Sequence, residues 1–111
     1  HPAKRTFQAL RIAVNDELSQ IPNAVGDAID LLEVNGRGAV LSYHSGEDRL
    51  VKKAIALAET GGCKCPPRLP CGCGAEHKVR PLAPKLRRAT EEEKDVNPRS
   101  SSALFRCFDR I

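Results

Sequence analysis

Apolar positions recur along the chain at two different periods, and the changes of period mark its elements. Phe7, Leu10, Val14, Leu18 and Ile21 return at spacings of three and four, the helical period. Positions 1–18 therefore read as an amphipathic helix, with Lys4, Arg5 and Arg11 mostly away from its apolar stripe. Pro2 suits the first turn, where an N–H would be unpaired anyway. Pro22 starts a second helix, whose stripe is Val25, Ala28, Ile29 and Leu32. Gly26 weakens it by about 1 kcal/mol relative to alanine, and Asn35-Gly36 stops it. A continuous apolar run, Ala39 to Leu41, then ends in Ser42, Tyr43 and His44 and reads as a buried strand. A third helix follows from about Gly46 to Glu59, with Leu50, Val51, Ala54, Ile55 and Ala58 inward and Lys52 and Lys53 outward. Ser45 is its expected N-cap, Asp48 the acid of a capping box, and Thr60-Gly61-Gly62 its stop. A helix leading into a continuous apolar strand is the order of a parallel α/β sheet.

Further on, His77 to Leu82 reads as a short strand stopped by Pro81 and Pro84. Thr90-Glu-Glu-Glu93 is a capping box that opens a brief helix to about Val96, and Asn97-Pro98-Arg99 is a turn. Ala103 to Ile111 alternates as a strand, with Leu104 and Phe108 on one face and Phe105, Cys107 and Ile111 on the other. There is no internal repeat. The 111 residues suffice for about one small domain, and 41% hydrophobic with 29% charged residues fits a globular chain. With 4% aromatics and neither Trp nor Met, the core must be aliphatic. No apolar run approaches the roughly 20 residues of a membrane span and no secretory signal is visible, so the expected location is cytoplasmic, with no membrane contact. A start at His1-Pro2 without Met reads as part of something longer. The net charge of +4 fits an anionic partner such as nucleic acid or, equally, a solvated surface of both signs.

Two stretches carry candidate chemistry. The first is Gly36 to Lys53, where His44, Ser45, Glu47, Asp48 and Arg49 follow the strand directly. In open α/β sheets ligands sit beyond the carboxyl ends of the strands, so these side chains are a candidate site edge. The same residues serve as cap and as partners of the helix dipole, and both roles can hold together. The second is Cys63-Lys-Cys65-Pro-Pro-Arg-Leu-Pro-Cys71-Gly-Cys73. Two Cys-x-Cys pairs in a loop rich in Pro and Gly suit tetrahedral zinc, with His77 as a spare ligand. Free thiols and disulfides are the other readings, the last disfavoured in a reducing cytosol. None of these cysteines has an evident activating partner for catalysis, and Cys107 reads as a buried small hydrophobe.

Three blocks, His1 to Asn15, Ser42 to Lys52 and Asn97 to Ala103, fall in an order that closely resembles the C-terminal part of the bacterial small-subunit rRNA cytosine-N4-methyltransferase family (RsmH or MraW). Some members also carry a Cys-x-Cys…Cys-x-Cys loop at this place. The resemblance implies an S-adenosylmethionine-dependent class I methyltransferase of Rossmann-like fold and a cytidine of small-subunit ribosomal RNA as substrate. In that frame positions 1–21 are the helix returning from an inserted helical domain, 22–60 a helix-strand-helix unit, 61–76 the Cys-rich loop and 77–111 an antiparallel edge pair. Strand 38–44 would be the fifth and parallel one, with 77–82 and 103–110 the sixth and seventh. His44, Ser45 and Glu47 would line the pocket for the base. Lys4, Arg5 and Arg99 would touch RNA phosphates, and Arg49 would pair with Asp48 or with an acid outside this chain. The glycine-rich cofactor loop belongs upstream of His1, so no cofactor-binding residue is carried over, and the chain is expected to need that N-terminal part or to self-associate. Gly46 stands where the family usually has leucine, and Ser101 replaces a common arginine. The competing readings are a zinc-stabilised RNA-binding module without activity and a split remnant that works only with a partner chain.

Overall fold

The computed structural model describes residues 2–111. Helices α1 (Pro2–Asn15) and α2 (Gln20–Leu31) precede strand β1 (Arg37–Ser42), which leads into α3 (Ser45–Thr60). After the cysteine loop come β2 (Val79–Pro81), β3 (Arg87–Arg88), α4 (Glu91–Val96), a 3₁₀ turn at Pro98–Ser102 and β4 (Leu104–Arg110). His1, where the first expected helix began, lies outside the described residues. Among the described residues no helix is long and apolar enough to cross a membrane.

β4 is the middle strand. β1 pairs with it from Arg37↔Asp109 to Ser42↔Leu104, β2 from Val79↔Arg110 to Pro81↔Phe108, and β3 through Arg87↔Phe105 and Arg88↔Leu104. All these pairings are antiparallel. The expected antiparallel pair of second and last strands is present. The strand expected as the parallel member is in its place but pairs only antiparallel, with β4, because no other strand among the described residues runs beside it. Pro81 belongs to β2 instead of stopping it, which an edge strand tolerates because one side needs no ladder bond.

α2 and α3 cover one face of the sheet. Val25, Ile29, Val51, Ile55, Val79 and Phe108 form the buried cluster, with Ile21, Leu32 and Val40 packed around it. The helical stripes of α2 and α3 thus face inward as their period predicted, except for Ala28, which is exposed. Phe108 lies directly over Gly38, where any Cβ would overlap the ring, so a glycine at this point of β1 is required by packing. The opposite face carries Ala39, Leu41, Phe105 and Cys107, and Leu41 is half exposed. Cys107 is therefore only partly buried, not the fully buried hydrophobe expected.

α1 departs further from expectation. Its period is right, but it buries no residue, and Phe7, Leu10 and Val14 are 69%, 55% and 81% exposed. It also ends at Asn15, because Asp16 takes a positive φ of 51°. α2 begins at Gln20, two residues ahead of Pro22, since the first-turn N–H groups need no helical partner.

Packing also places a charge in the interior. The alternation of β4 puts Leu104, Arg106 and Phe108 on the core side, all buried. A guanidinium there needs a partner, and Asp48 supplies it. Arg106 Nε and Nη2 donate to Asp48 Oδ1 and Oδ2 at 2.7 and 2.8 Å, and Nη1 donates to the Lys85 carbonyl at 2.9 Å. Asp48 is thus neither the capping-box acid nor the partner of Arg49, which is exposed. The hydrogen bond from Arg106 holds the Asp48 carboxyl below its ordinary value against the opposing effect of burial. A depressed folded-state pKa stabilises the fold fully above the unfolded value of about 3.9, and the contribution is lost as pH falls through the folded value. Stability followed by circular dichroism should therefore fall with acid below about pH 4, and Asp48→Asn should flatten that part of the profile.

Candidate functional site at the end of strand β1

The turn from β1 into α3 is built by a reciprocal cap. His44 occupies the N-cap with extended backbone, and its Nδ1 accepts from the N–H groups of Gly46 and Glu47 at 3.1 and 3.3 Å. The first turn closes by Asp48 N–H to the His44 carbonyl at 3.1 Å. Ser45, expected as the cap, is instead the first helical residue and is exposed. Glu47 reaches back, its Oε2 accepting from the Tyr43 N–H at 3.1 Å. The pair His44/Glu47 thus takes the roles that the residue types suggested for Ser45 and Asp48, one position earlier. Accepting through Nδ1 leaves the ring proton on Nε2. That atom lies 3.4 Å from Glu47 Oε1, but without hydrogen-bond alignment, so it is a buried N–H with no partner. A Cβ at Gly46 would come within 3.0 and 3.1 Å of the His44 ring. A side chain at this position would therefore press on the imidazole and require the ring to shift by a few tenths of an ångström. Replacing His44 with alanine should cost about 0.5–2 kcal/mol, while asparagine, a good cap, should keep most of it; urea unfolding of the two variants checks this.

Two hollows border this turn. One, of about 350 Å³, runs beside β1 and is lined by Ser42, Tyr43 and Glu47 together with Ile21, Val25 and Val51. The other, of about 300 Å³, lies on the uncovered sheet face between Leu41, Tyr43 and Phe105 and the polar groups of Arg87, Arg88, Asn97 and Ser100. Tyr43 borders both and is half exposed. An exposed aromatic beside two guanidinium groups can stack a base and hold phosphate. Tyr43 was visible in the sequence only as a strand-end residue. Arg87 and Arg88 were missed, because a two-residue strand leaves no periodic trace.

The structure brings His44, Ser45 and Glu47 together, and it does not bring Lys4 and Arg5 to them. Those two are exposed on α1, which has no fully buried residue. Arg99 is exposed in the 3₁₀ turn next to Ser100, which lines the second hollow. Close by, α4 starts as expected, with Thr90 Oγ1 accepting from the Glu93 N–H at 3.1 Å.

At the opposite end of α3, the Sγ atoms of Cys63, Cys65, Cys71 and Cys73 lie within 4.8 Å of one another. Cys63 to Cys71 is 3.2 Å and Cys71 to Cys73 is 3.3 Å, and none is in a disulfide. The N–H of Gly72 and the neighbouring thiols draw the Cys65 thiol down to about 7, whereas Cys71 pushes the Cys73 thiol up. His77, expected as a spare ligand, is outside the cluster, its Nδ1 lying 2.7 Å from the Glu59 carbonyl.

Over residues 1–111 the chain matches the MraW methylase family, and it belongs to that family. Ribosomal RNA small subunit methyltransferase H of Heliobacterium mobile is 51% identical over 112 residues, covering 100% of this chain. The proteins of that name from Pelobacter propionicus and Heliobacterium modesticaldum are 50% and 49% identical over the same extent. The chain spans 36% of the length of each of these relatives.

Proposed function

We propose that this chain is the C-terminal part of an S-adenosylmethionine-dependent methyltransferase that acts on N4 of a cytidine in small-subunit ribosomal RNA, in the cytoplasm. Identity of about a half along the whole chain to proteins named ribosomal RNA small subunit methyltransferase H is the observation that carries this reading. The strand order supports a Rossmann-like frame in which β1, β2 and β4 are the fifth, sixth and seventh strands.

No Gly-x-Gly-type loop follows a strand in this chain, so its residues do not form a fitting cradle for the cofactor. The cofactor supplies the methyl group and is assigned to the preceding part of the protein. What these residues contribute is placement of the cytidine. Transfer to an exocyclic amine requires the nitrogen to be held in line with the incoming methyl, and positioning supplies much of the rate. The amine lone pair must also be turned out of conjugation with the ring, which a hydrogen-bond acceptor beside the amine achieves. In this reading His44, Ser45 and Glu47 line the base pocket. The Glu47 carboxylate borders the hollow beside β1 and supplies an acceptor of the kind a base edge needs. Tyr43 stacks, and Lys4, Arg5 and Arg99, joined by Arg87 and Arg88, hold phosphates, so affinity falls with salt.

The test joins this chain to the preceding part and supplies labelled S-adenosylmethionine and small-subunit RNA that lacks the modification. The label should appear on cytidine N4, and His44→Ala or Glu47→Ala should lower kcat/KM by about 10²-fold, the cost of a misplaced reacting group. The 111-residue chain alone should show no heat when titrated with S-adenosylmethionine. Label on ribose or on a base carbon would refute the N4 reading. RNA retained without methyl transfer would favour a non-catalytic RNA-binding module, and cofactor binding by the chain alone would move the site into it.

A further inference from the structure

The segment from Gly61 to Glu76 is a closed excursion between α3 and β2. Its ends are fastened: the Gly61 N–H caps α3 on the Leu57 carbonyl at 2.7 Å, and the Lys78 N–H reaches the Ala58 carbonyl at 2.8 Å. Gly61 has a φ of 62°, and a Cβ there would overlap the Glu76 backbone, so the loop base closes on glycine. Between these ends there is no helix or strand and no fully buried residue. The one large aliphatic side chain, Leu69, is 64% exposed. Loops of this length without structure of their own are uncommon in compact domains, and this one has no apolar core to order it. What converges inside it is sulfur.

We propose that Cys63, Cys65, Cys71 and Cys73 bind one zinc ion as a tetrahedral tetrathiolate that orders the loop between α3 and β2. Zinc–sulfur bonds of about 2.3 Å in a tetrahedron place the sulfurs about 3.8 Å apart. The two short Sγ pairs, at 3.2 and 3.3 Å, and the outer limit of 4.8 Å bracket that edge. Closing on a metal therefore needs sub-ångström adjustments, not a rearrangement of the chain. The Cys65 N–H points at Cys63 Sγ at 3.4 Å, an outer-shell bond of the sort that orients metal ligands. Four thiolates and a divalent ion leave two negative charges, and Lys64 and Arg68 are exposed cations of the same loop. Zinc is preferred to ferrous iron because such sites bind it more tightly, and its lack of redox chemistry suits the exposed Cys71 and Cys73. The site lies beyond the far end of a 16-residue helix from His44, and the proposal does not depend on the methyltransferase reading.

The chain purified under reducing conditions without chelator should carry about one zinc by mass spectrometry of the metal. Exchange with Co²⁺ should give the intense visible bands of a tetrahedral tetrathiolate. The double variant Cys63→Ser/Cys71→Ser should lose the metal, while Cys107→Ser should keep it. Chelation should raise amide exchange in 61–76 and leave the core residues of α2 and α3 protected. A metal-free chain whose five thiols all react at once, a chain with two disulfides in the loop, or one that holds iron would each overturn the assignment. Should the double variant fail to fold, the cobalt spectrum of the unsubstituted chain decides.

Discussion

Arg106→Ala is expected to destabilise the fold by about 3–5 kcal/mol, the cost of leaving one member of a buried ion pair alone. The Arg106 and Asp48 side chains are 10% and 13% exposed, so water does little to relieve an unpaired Asp48. The same change frees the Lys85 carbonyl, which Arg106 Nη1 holds, and so loosens the segment leading into β3. Against a total stability of about 5–15 kcal/mol for an ordinary domain, such a loss is enough to unfold much of the population. The double variant Asp48→Leu/Arg106→Met should recover most of it, because buried pairs are commonly replaceable by apolar side chains of similar volume. Urea midpoints at unchanged slope measure both effects. A single-variant loss under about 1 kcal/mol, typical of exposed pairs, would mean that the pair is hydrated in solution.

Leu41→Asp should have opposite consequences in two settings. In the chain alone the side chain is 51% exposed on the uncovered sheet face, and the change should shift stability by no more than about 0.5 kcal/mol, as surface substitutions do. In the complete protein, as we propose it, this face and the free side of β1 lie against the preceding part. An aspartate buried there without a partner costs several kcal/mol, and both assembly of the two parts and methyl transfer should be lost. Phe7→Ser and Val14→Ser on α1 should behave the same way more mildly, and in the chain alone they should reduce self-association seen by sedimentation. Full activity of Leu41→Asp in the joined protein would remove this face from the interface.

Much of the frame was legible because it rests on local signals. The three-and-four spacing of Val25, Ile29, Val51 and Ile55 located two helices and their inner faces, and Gly61 marked the end of α3 in its left-handed conformation. The cysteine spacing brought out a cluster that the fold then assembles. What stayed hidden depends on contacts across the chain. Asp48 and Arg106 are 58 positions apart, and nothing near either one names the other. At the β1–α3 turn the residue types were right and the register was off by one. A histidine ring can accept two N–H groups as a serine hydroxyl does, and only the two hydrogen bonds to its Nδ1 show that it does so here. The stripe of α1 is periodic without being buried, since period reports a face and not what covers it.

The position of β4 has a consequence for how the molecule is made. Each of the other strands pairs with β4, and β4 is the last of the four in chain order. While a ribosome is still elongating the chain, α2, β1 and α3 have emerged, yet β1 must wait for a partner 72 positions later, as the Arg37–Asp109 contact measures. The helices can form early from local contacts, but the sheet closes in a single late event, after a costly long-range search. Until then the edge of β1 that takes β4 stays open, so nascent chains are most exposed to misassembly in that interval, and a premature stop ahead of Leu104 leaves β1, β2 and β3 without the strand each of them pairs with here.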